Sequence, residues 1–513
     1  MREDDHVILS HDLSVKLTVE SFDPEGRIQL KISEKILNDR LGGRMPKTMS
    51  LIPDEFVNPR PIPEAIADVA AKWESTKTVP ENLRRLLLRL PPNLSGKNPS
   101  GSLVNSNENI GAAAVRIVTD MQNSVLCIQG PPGSGKTTTA SGVIAELLKA
   151  NKNIGITSNS HKAIINLLSA CNDKLAGKLQ GIKVGNDGND PIFTKCPGLA
   201  FVKTSGDAVP QYRSGLIAGT AWLFARDDMV DKLDYLFVDE AGQVSLANLA
   251  GMSRCARNVI LMGDQMQLEQ PIQGSHPGES GMSVLNYYLM GHATIPDELG
   301  LFLGTSFRMH PDVCQFVSEM VYEGRLQAAP ENKNRALVVP PTGVQHIRKP
   351  AGIIFSPVEH DGNTQGSEEE VERIKKIVNE LLGRTLIDKK GNTKQLELSD
   401  ILFVAPYNLQ VRLLKAALPQ NAKVGSVDKF QGQEAPVVIV SMCSSAGEDG
   451  PRGLEFLLDK NRINVAISRA QTLAIVVGDP RIASSPCSSV ADMERLNLFC
   501  RLQDFDDFLN KKS

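Results

Sequence analysis

At 513 residues the chain is too long for one hydrophobic core, and about three units of ordinary domain size are expected. Its 41% hydrophobic, 22% charged and 5% aromatic residues are those of a globular protein, not of a disordered or fibrous one. A net charge of −3 excludes a global basic field, so any nucleic-acid contact must come from a local groove.

Eight cysteines are scattered without a C-x-x-C pair, which argues against a zinc or iron–sulfur site and fits a reducing compartment. The acidic start MREDDH lacks an apolar signal core, and no apolar run is long enough to span a bilayer. A soluble, cytoplasmic monomer with no membrane contact is expected.

Residues 1–105 read as a β-rich accessory region with a helical stalk. Val15, Leu17 and Val19 alternate with polar residues, as do Ile28, Leu30 and Ile32, around a turn at Asp23-Pro24-Glu25-Gly26; this predicts a half-buried hairpin. From Met45 to Pro63 prolines recur too often for regular structure. A helix near Glu81–Leu90 then leads into Pro91-Pro92 and a Gly/Ser/Asn linker ending near Asn109.

Beyond it, short β-branched runs alternate with helical patterns. Strands are predicted at Val125–Gln129, Ile154–Thr157, Leu216–Thr220, Tyr235–Asp239 and Val259–Met262. A second series follows at Ile353–Pro357, Ile401–Ala405, Val424–Val427, Val437–Met442 and Leu473–Val477. Such runs imply parallel sheets. The expected class is α/β, with two RecA-like parallel-sheet domains at 106–300 and 301–513 joined near 295–305. The loop GNDGND at Gly185–Asp190 reads as a surface loop in preference to a calcium site.

Gly130-Pro131-Pro132-Gly133-Ser134-Gly135-Lys136-Thr137 fits G-x-x-x-x-G-K-[ST] between a buried strand and a helix, the context of a phosphate-binding loop. Gly130, Gly133 and Gly135 let backbone N–H groups point at phosphate oxygens, with Ser134 and Thr138 beside them. Lys136 reaches the β- and γ-phosphates, and Thr137 holds Mg²⁺. The strand Tyr235–Val238 ends in Asp239 and Glu240, placing Asp239 to hold Mg²⁺ and Glu240 to deprotonate an attacking water. A nucleoside triphosphate and Mg²⁺ are therefore the expected ligands, and the resemblance below implies ATP.

Further motifs follow in order: Gly263-Asp264-Gln265-Met266-Gln267-Leu268, Phe307-Arg308-Met309-His310-Pro311, Ala405-Pro406-Tyr407 with Gln410, Val427-Asp428-Lys429-Phe430-Gln431-Gly432-Gln433-Glu434, and Asn464-Val465-Ala466-Ile467-Ser468-Arg469-Ala470. Over residues ~110–500 this succession resembles the superfamily 1 helicases, in the branch of the nonsense-mediated-decay helicase and the Okazaki-fragment nuclease–helicase. Thr157-Ser158-Asn159-Ser160-His161-Lys162-Ala163, Asp239-Glu240-Ala241-Gly242-Gln243 and His276-Pro277-Gly278-Glu279-Ser280 further resemble the helicase half of bacterial proteins fused to a RecB-like nuclease. The chain itself carries no RecB-like nuclease pattern; such a nuclease would be a separate polypeptide, or the chain is a fragment or a stand-alone version.

The resemblance implies an ATP-dependent helicase or translocase on single-stranded nucleic acid, DNA in preference to RNA, with 5′-to-3′ polarity. The same architecture would serve an RNA or RNA–DNA helicase, or an ATP-switched clamp regulating a partner nuclease. It implies that Gln267 senses the γ-phosphate, that Arg308 and Arg469 are arginine fingers, that Gly432 and Glu434 approach γ-phosphate and ribose, and that Phe307 stacks on adenine. Ser158, Asn159 and Thr220 match first-domain positions that bond a single-strand backbone, and Asp428 and Gln431 fall in the corresponding region of the second. Trp222 suits the core better than a base platform. His310 would shape the loop after Arg308, and Tyr407 would pack between strand and helix. The family's adenine-reading glutamine falls on Gly111, which predicts loose nucleobase selectivity unless Asn107 or Asn109 substitutes.

Overall fold

The strand Val125–Gln129 is buried along its whole length, as a strand covered on both faces must be. Val125 and Cys127 enter one apolar cluster and Leu126 and Ile128 another, so the sheet divides two cores. The structure is a computed structural model and describes residues 6–22, 27–54, 59–95, 101–268, 276–341, 343–430, 432–446 and 453–510.

Residues Met1–Arg60 form one compact unit. Its strands are β1 (His6–Leu9), β2 (Asp12–Phe22), β3 (Ile28–Lys31) and β4 (Leu51–Pro53), in the order β3-β2-β1-β4. β2 and β3 pair antiparallel as the alternation predicts, with Val19 opposite Leu30; the turn between them lies outside the described residues. Val7, Leu9, Val15, Leu17 and Val19 make its core. β4 corrects the expectation of irregular chain from Met45 to Pro63. Pro53 sits on an edge strand, where a missing N–H does no harm.

The second compact unit, Pro61–Ser513, opens with a helix at Ile62–Thr76 that the proline count had hidden. Pro61 and Pro63 stand at its start, where the fixed φ suits a first turn and no N–H bond is lost. Ile62, Ala65 and Val69 of this helix, and Leu83 and Leu86 of the next (Glu81–Leu87), enter the core on one face of the first large sheet.

That sheet has eight strands: β5 (Val125–Gln129), β6 (Ile154–Thr157), β7 (Gly181–Val184), β8 (Leu199–Val202), β9 (Leu216–Gly219), β10 (Leu233–Val238), β11 (Ala256–Gly263) and β12 (Gly300–Phe302). All run parallel, in the order β12-β5-β11-β10-β6-β9-β7-β8. Helices Ile110–Asp120, Lys136–Lys149 and His161–Lys174 cover the other face. β7, β8 and β12 were not anticipated. They are three or four residues long, and Lys183 breaks the apolar run of β7.

The second parallel sheet contains β13 (Gly352–Pro357), β14 (Ile401–Val404), β15 (Lys423–Gly425), β16 (Ala435–Ser441) and β17 (Ala470–Gly478), in the order β13-β17-β16-β14-β15. Every strand of the second predicted series is present, and again two clusters lie on opposite faces. The architecture is α/β with two parallel sheets, each with helices on both faces. Among the described residues no helix is long and apolar enough to cross a membrane.

Candidate active site

The phosphate-loop motif sits at the C-terminal end of β5. Its start is pinned by the Gly130 N–H, which donates to the Gly263 carbonyl at 2.9 Å. A Cβ at Gly130 would meet Lys136 at 3.0 Å and Ser134 Oγ at 3.1 Å, so a side chain there would crowd the loop. Gly133 and Gly135 have φ of +72° and +81°, and a Cβ at Gly133 would strike Arg308 Cβ at 2.4 Å. Pro131 and Pro132 are buried; their carbonyls accept from the Ser134 N–H and the Ser306 hydroxyl. Thr137 and Thr138 are exposed on the first turn of the helix Lys136–Lys149. The Ser134 Oγ is buried with no partner in the chain. A phosphate oxygen would satisfy it together with the loop amides, so the residues fit a bound triphosphate.

Lys136 Nζ lies 3.6 Å from Glu240 Oε2. Burial works against its charge, but Glu240, Asp239 and Asp264 outweigh that and hold it above the usual lysine range. Asp239, at the end of β10, is pushed up to about 6 by burial, against the pull of Lys136; its Oδ1 accepts the Glu240 N–H at 2.9 Å. Glu240 itself has φ +53° and ψ +42°. A non-glycine residue held left-handed is a strained position of the kind found at functional sites. The Thr137 hydroxyl and the Asp239 carboxylate are oxygen donors of the kind that suit Mg²⁺.

The second half supplies the opposite wall. Phe307 N–H donates to the Gly133 carbonyl at 2.9 Å, and the Phe307 ring, 48% exposed, lies beside Gly135. Arg308 ion-pairs with Glu434 at 2.5 Å and donates to the Ser468 carbonyl at 3.1 Å. Burial opposes charge on Glu434, but Arg308 and a 2.7 Å bond from Gln471 hold it below the usual carboxylate range. Glu434 is thus engaged by protein groups where the resemblance assigns it to ribose. Arg469 is buried and lowered to about 10 by burial, then by repulsion from Arg308, with Glu240 and Glu434 opposing. Its Nη1 donates to the Gln433 carbonyl at 3.3 Å, while its buried Nε has no partner in the chain. Gly432 has φ +77° in open space.

Gln267 Nε2 donates to Asp264 Oδ2 at 3.0 Å, so the residue assigned to sense phosphate is held by a neighbouring carboxylate. Sequence reasoning missed Gln129, the last residue of β5. Its buried amide donates to the Ala293 carbonyl (2.9 Å) and to Gln265 Oε1 (3.0 Å), fastening that loop to the phosphate strand. Only its position before Gly130 could have drawn attention to it. At Gly111, Asn109 Oδ1 accepts the Gly111 and Ala112 N–H groups as a helix cap. Its oxygen is therefore already used.

The positions matched to a nucleic-acid strand follow the C-terminal ends of parallel strands. Ser158 comes after β6 but is buried, its Oγ accepting the Ser160 N–H at 3.3 Å. Asn159 is exposed and donates to the Gln243 carbonyl. Thr220 follows β9 and is half-buried, and the neighbouring Trp222 packs partly buried against the core. Asp428 is exposed and pairs with Arg462 at 3.4 Å. Beside it opens a pocket of about 250 Å³ lined by Gln365, Tyr407, Asn408, Phe456 and Arg462. Tyr407 is buried with its ring 5.2 Å from that of Phe456. Gln431 lies outside the described residues. His310 Nδ1 accepts the Asp312 N–H and so caps the helix Pro311–Val321, a shaping role.

Two family models, each described as an AAA domain, match residues 111–279 and 286–481, one for each half of this arrangement. A DNA replication ATP-dependent helicase/nuclease of Arabidopsis thaliana is 25% identical over 435 residues, covering 79% of this chain and 31% of that protein. Its counterpart from Gallus gallus is 27% identical over 360 residues, covering 68% and 34%. Over both halves the chain is thus similar to helicases of the superfamily 1 type. A DNA polymerase alpha-associated DNA helicase of Schizosaccharomyces pombe is 26% identical over 425 residues, covering 69% of this chain and 60% of that one. The chain spans about a third of the length of the helicase/nucleases it matches.

Proposed function

We propose that the chain is an ATP-driven helicase or translocase that moves along single-stranded nucleic acid, DNA in preference to RNA, with 5′-to-3′ polarity. One observation carries the reading. Arg308 packs against Gly133 and Arg469 stands within electrostatic reach of Glu240, so two side chains of the second half complete a site begun in the first. A site assembled across a cleft turns each round of hydrolysis into relative motion of its walls.

The triphosphate would lie along Gly130–Thr137, taking the loop amides and the unpartnered Ser134 hydroxyl. Lys136 would exchange Glu240 for the β- and γ-phosphates, leaving the Glu240 carboxylate to take a proton from water. Mg²⁺, held by Thr137 and Asp239, would supply positive charge at the β- and γ-oxygens. Arg308, released from or shared with Glu434, and Arg469 would face the charge that builds on the transferring group; such arginines are typically worth about a thousandfold or more in rate.

DNA is favoured because the matched relatives are named as DNA helicases and helicase/nucleases. Asn159 and Thr220, following β6 and β9, carry an amide and a hydroxyl that suit backbone contacts that position a strand without reading it, and Asp428 follows β15 in the corresponding region of the second half. The resemblance to the helicase half of RecB-like fusions extends the proposal to a nuclease partner in trans, the chain acting as a cytoplasmic monomer. Strand displacement on forked DNA and RNA with 5′ or 3′ tails tests the reading. ATP-dependent displacement from 5′-tailed DNA alone is expected. Equal displacement of RNA would make it an RNA or RNA–DNA helicase, and turnover without displacement on any fork would make it an ATP-switched clamp.

A further inference from the structure

The loop Asp264–Leu268 ends the first half's site, yet it is seated in the second half. Leu268 belongs to the second half's core with Met309, Phe316 and Ile467, and Met266 packs against the same cluster. The helix Lys460–Ile467, which leads to Arg469, grips the loop backbone. Asn461 Nδ2 donates to the Gln265 carbonyl at 3.2 Å, and Asn464 Nδ2 to the Met266 carbonyl at 2.7 Å.

At the centre is Asp264, 3% exposed. Its Oδ2 accepts two hydrogen bonds: from Gln267 Nε2 at 3.0 Å and from Tyr322 Oη at 2.6 Å. Tyr322 is wholly buried, and its hydroxyl oxygen accepts from Asn464 Nδ2 at 3.0 Å. One carboxylate oxygen therefore joins, through Tyr322, the γ-phosphate sensor of the first half to the helix of the second that leads to Arg469. Water is excluded, so these bonds are strong and compete. When Gln267 turns its amide to a phosphate oxygen, Oδ2 loses one donor and the Tyr322 bond carries what remains.

We propose that Tyr322 is a positioning residue that couples the nucleotide state read by Gln267 to the placement of Arg469, through the shared Asp264 Oδ2 and through Asn464. The inference rests on the reading of the chain as an ATP-driven motor.

A double-mutant cycle on the full chain tests it, with ATP turnover measured in the presence of single-stranded DNA for Gln267→Ala, Tyr322→Phe and the double variant. If both act through one oxygen, each single change lowers stimulated turnover about tenfold, and the double variant stays within about twofold of the worse single. Effects that multiply to about a hundredfold, as for a hydroxyl that only stabilises the fold, would overturn the coupling. So would a Tyr322→Phe protein that turns over at the wild-type rate. If Tyr322→Phe fails to fold by thermal melt, Asn464→Ala takes its place in the cycle and must show the same non-multiplicative behaviour. A wild-type chain with no nucleotide turnover would instead overturn the motor reading on which the coupling stands.

Discussion

The C-terminal ends of the two parallel sheets carry similar buried polar groups and treat them in opposite ways. At the end of β10, Asp239 is pushed up by burial and Glu240 is held left-handed, and in the loop after β5 Ser134 Oγ faces no partner. At the end of β16, Cys443 is also left-handed, at φ +54°, but there Glu370, His360, Ser441 and Ser445 all have partners. Glu370 accepts from Ser441 Oγ (2.5 Å) and the Cys443 N–H (2.9 Å) and pairs with His360 Nε2 (3.0 Å). His360 Nδ1 in turn meets Ser445 Oγ at 2.8 Å, and Gln410 Nε2 donates to Ser441 Oγ at 2.8 Å. The Ser445–His360–Glu370 line has the order of a hydrolytic triad, yet His360 and Glu370 have 0% side-chain exposure, so no substrate reaches it. Unmatched polar atoms mark where a ligand belongs; the saturated set marks a brace.

Opposite responses to mutation follow. Lys136→Ala, at the unsaturated end, should lower ATP turnover by about a thousandfold or more while leaving the melting temperature near wild type. A variant that melts early would mean that Lys136 is structural. Glu370→Ala, at the saturated end, strands His360 and two donors in the core. It should lose about 3–5 kcal/mol in urea unfolding of the unliganded protein, the usual cost of breaking a buried pair. A loss under about 1 kcal/mol would remove the distinction between brace and site. The smallest effect concerns the base. Gly111 has no side chain and Asn109 Oδ1 is spent as a cap, so turnover of ATP, GTP and CTP should agree within about threefold, under 1 kcal/mol of discrimination. A strong preference for ATP would point to a base-reading group elsewhere in the cleft.

What was legible in the sequence is what is local. The phosphate loop, the strand ending in Asp239 and the central strands of both sheets each announce themselves within a dozen residues, because apolar runs and glycine spacing are local signals. Short edge strands such as β8 and β12 carry too few residues to show a period. The proline-rich stretch misled for a related reason. Proline is tolerated on the edge strand β4 and favoured at the first turn of the helix Ile62–Thr76, so its count says little about structure on either side. The joints were invisible because their partners are remote: Asp264 bonds Tyr322 58 residues on, and Glu370 bonds Ser441 across 71. Nothing in the residue types of Tyr322 or His360 distinguishes them from ordinary core residues.

The seating of Leu268 in the second half's core bears on how the chain is made. Met266 meets Asn464 across 198 residues, so the loop leaves the ribosome long before its socket exists. At 5–20 residues a second, roughly 10–40 s separate the two. During that interval the first sheet can close with Met266 and Leu268 still bare, a short apolar stretch open to chaperones and to neighbouring chains. Slower translation would lengthen that exposure, and a stop before residue 460 would make it permanent.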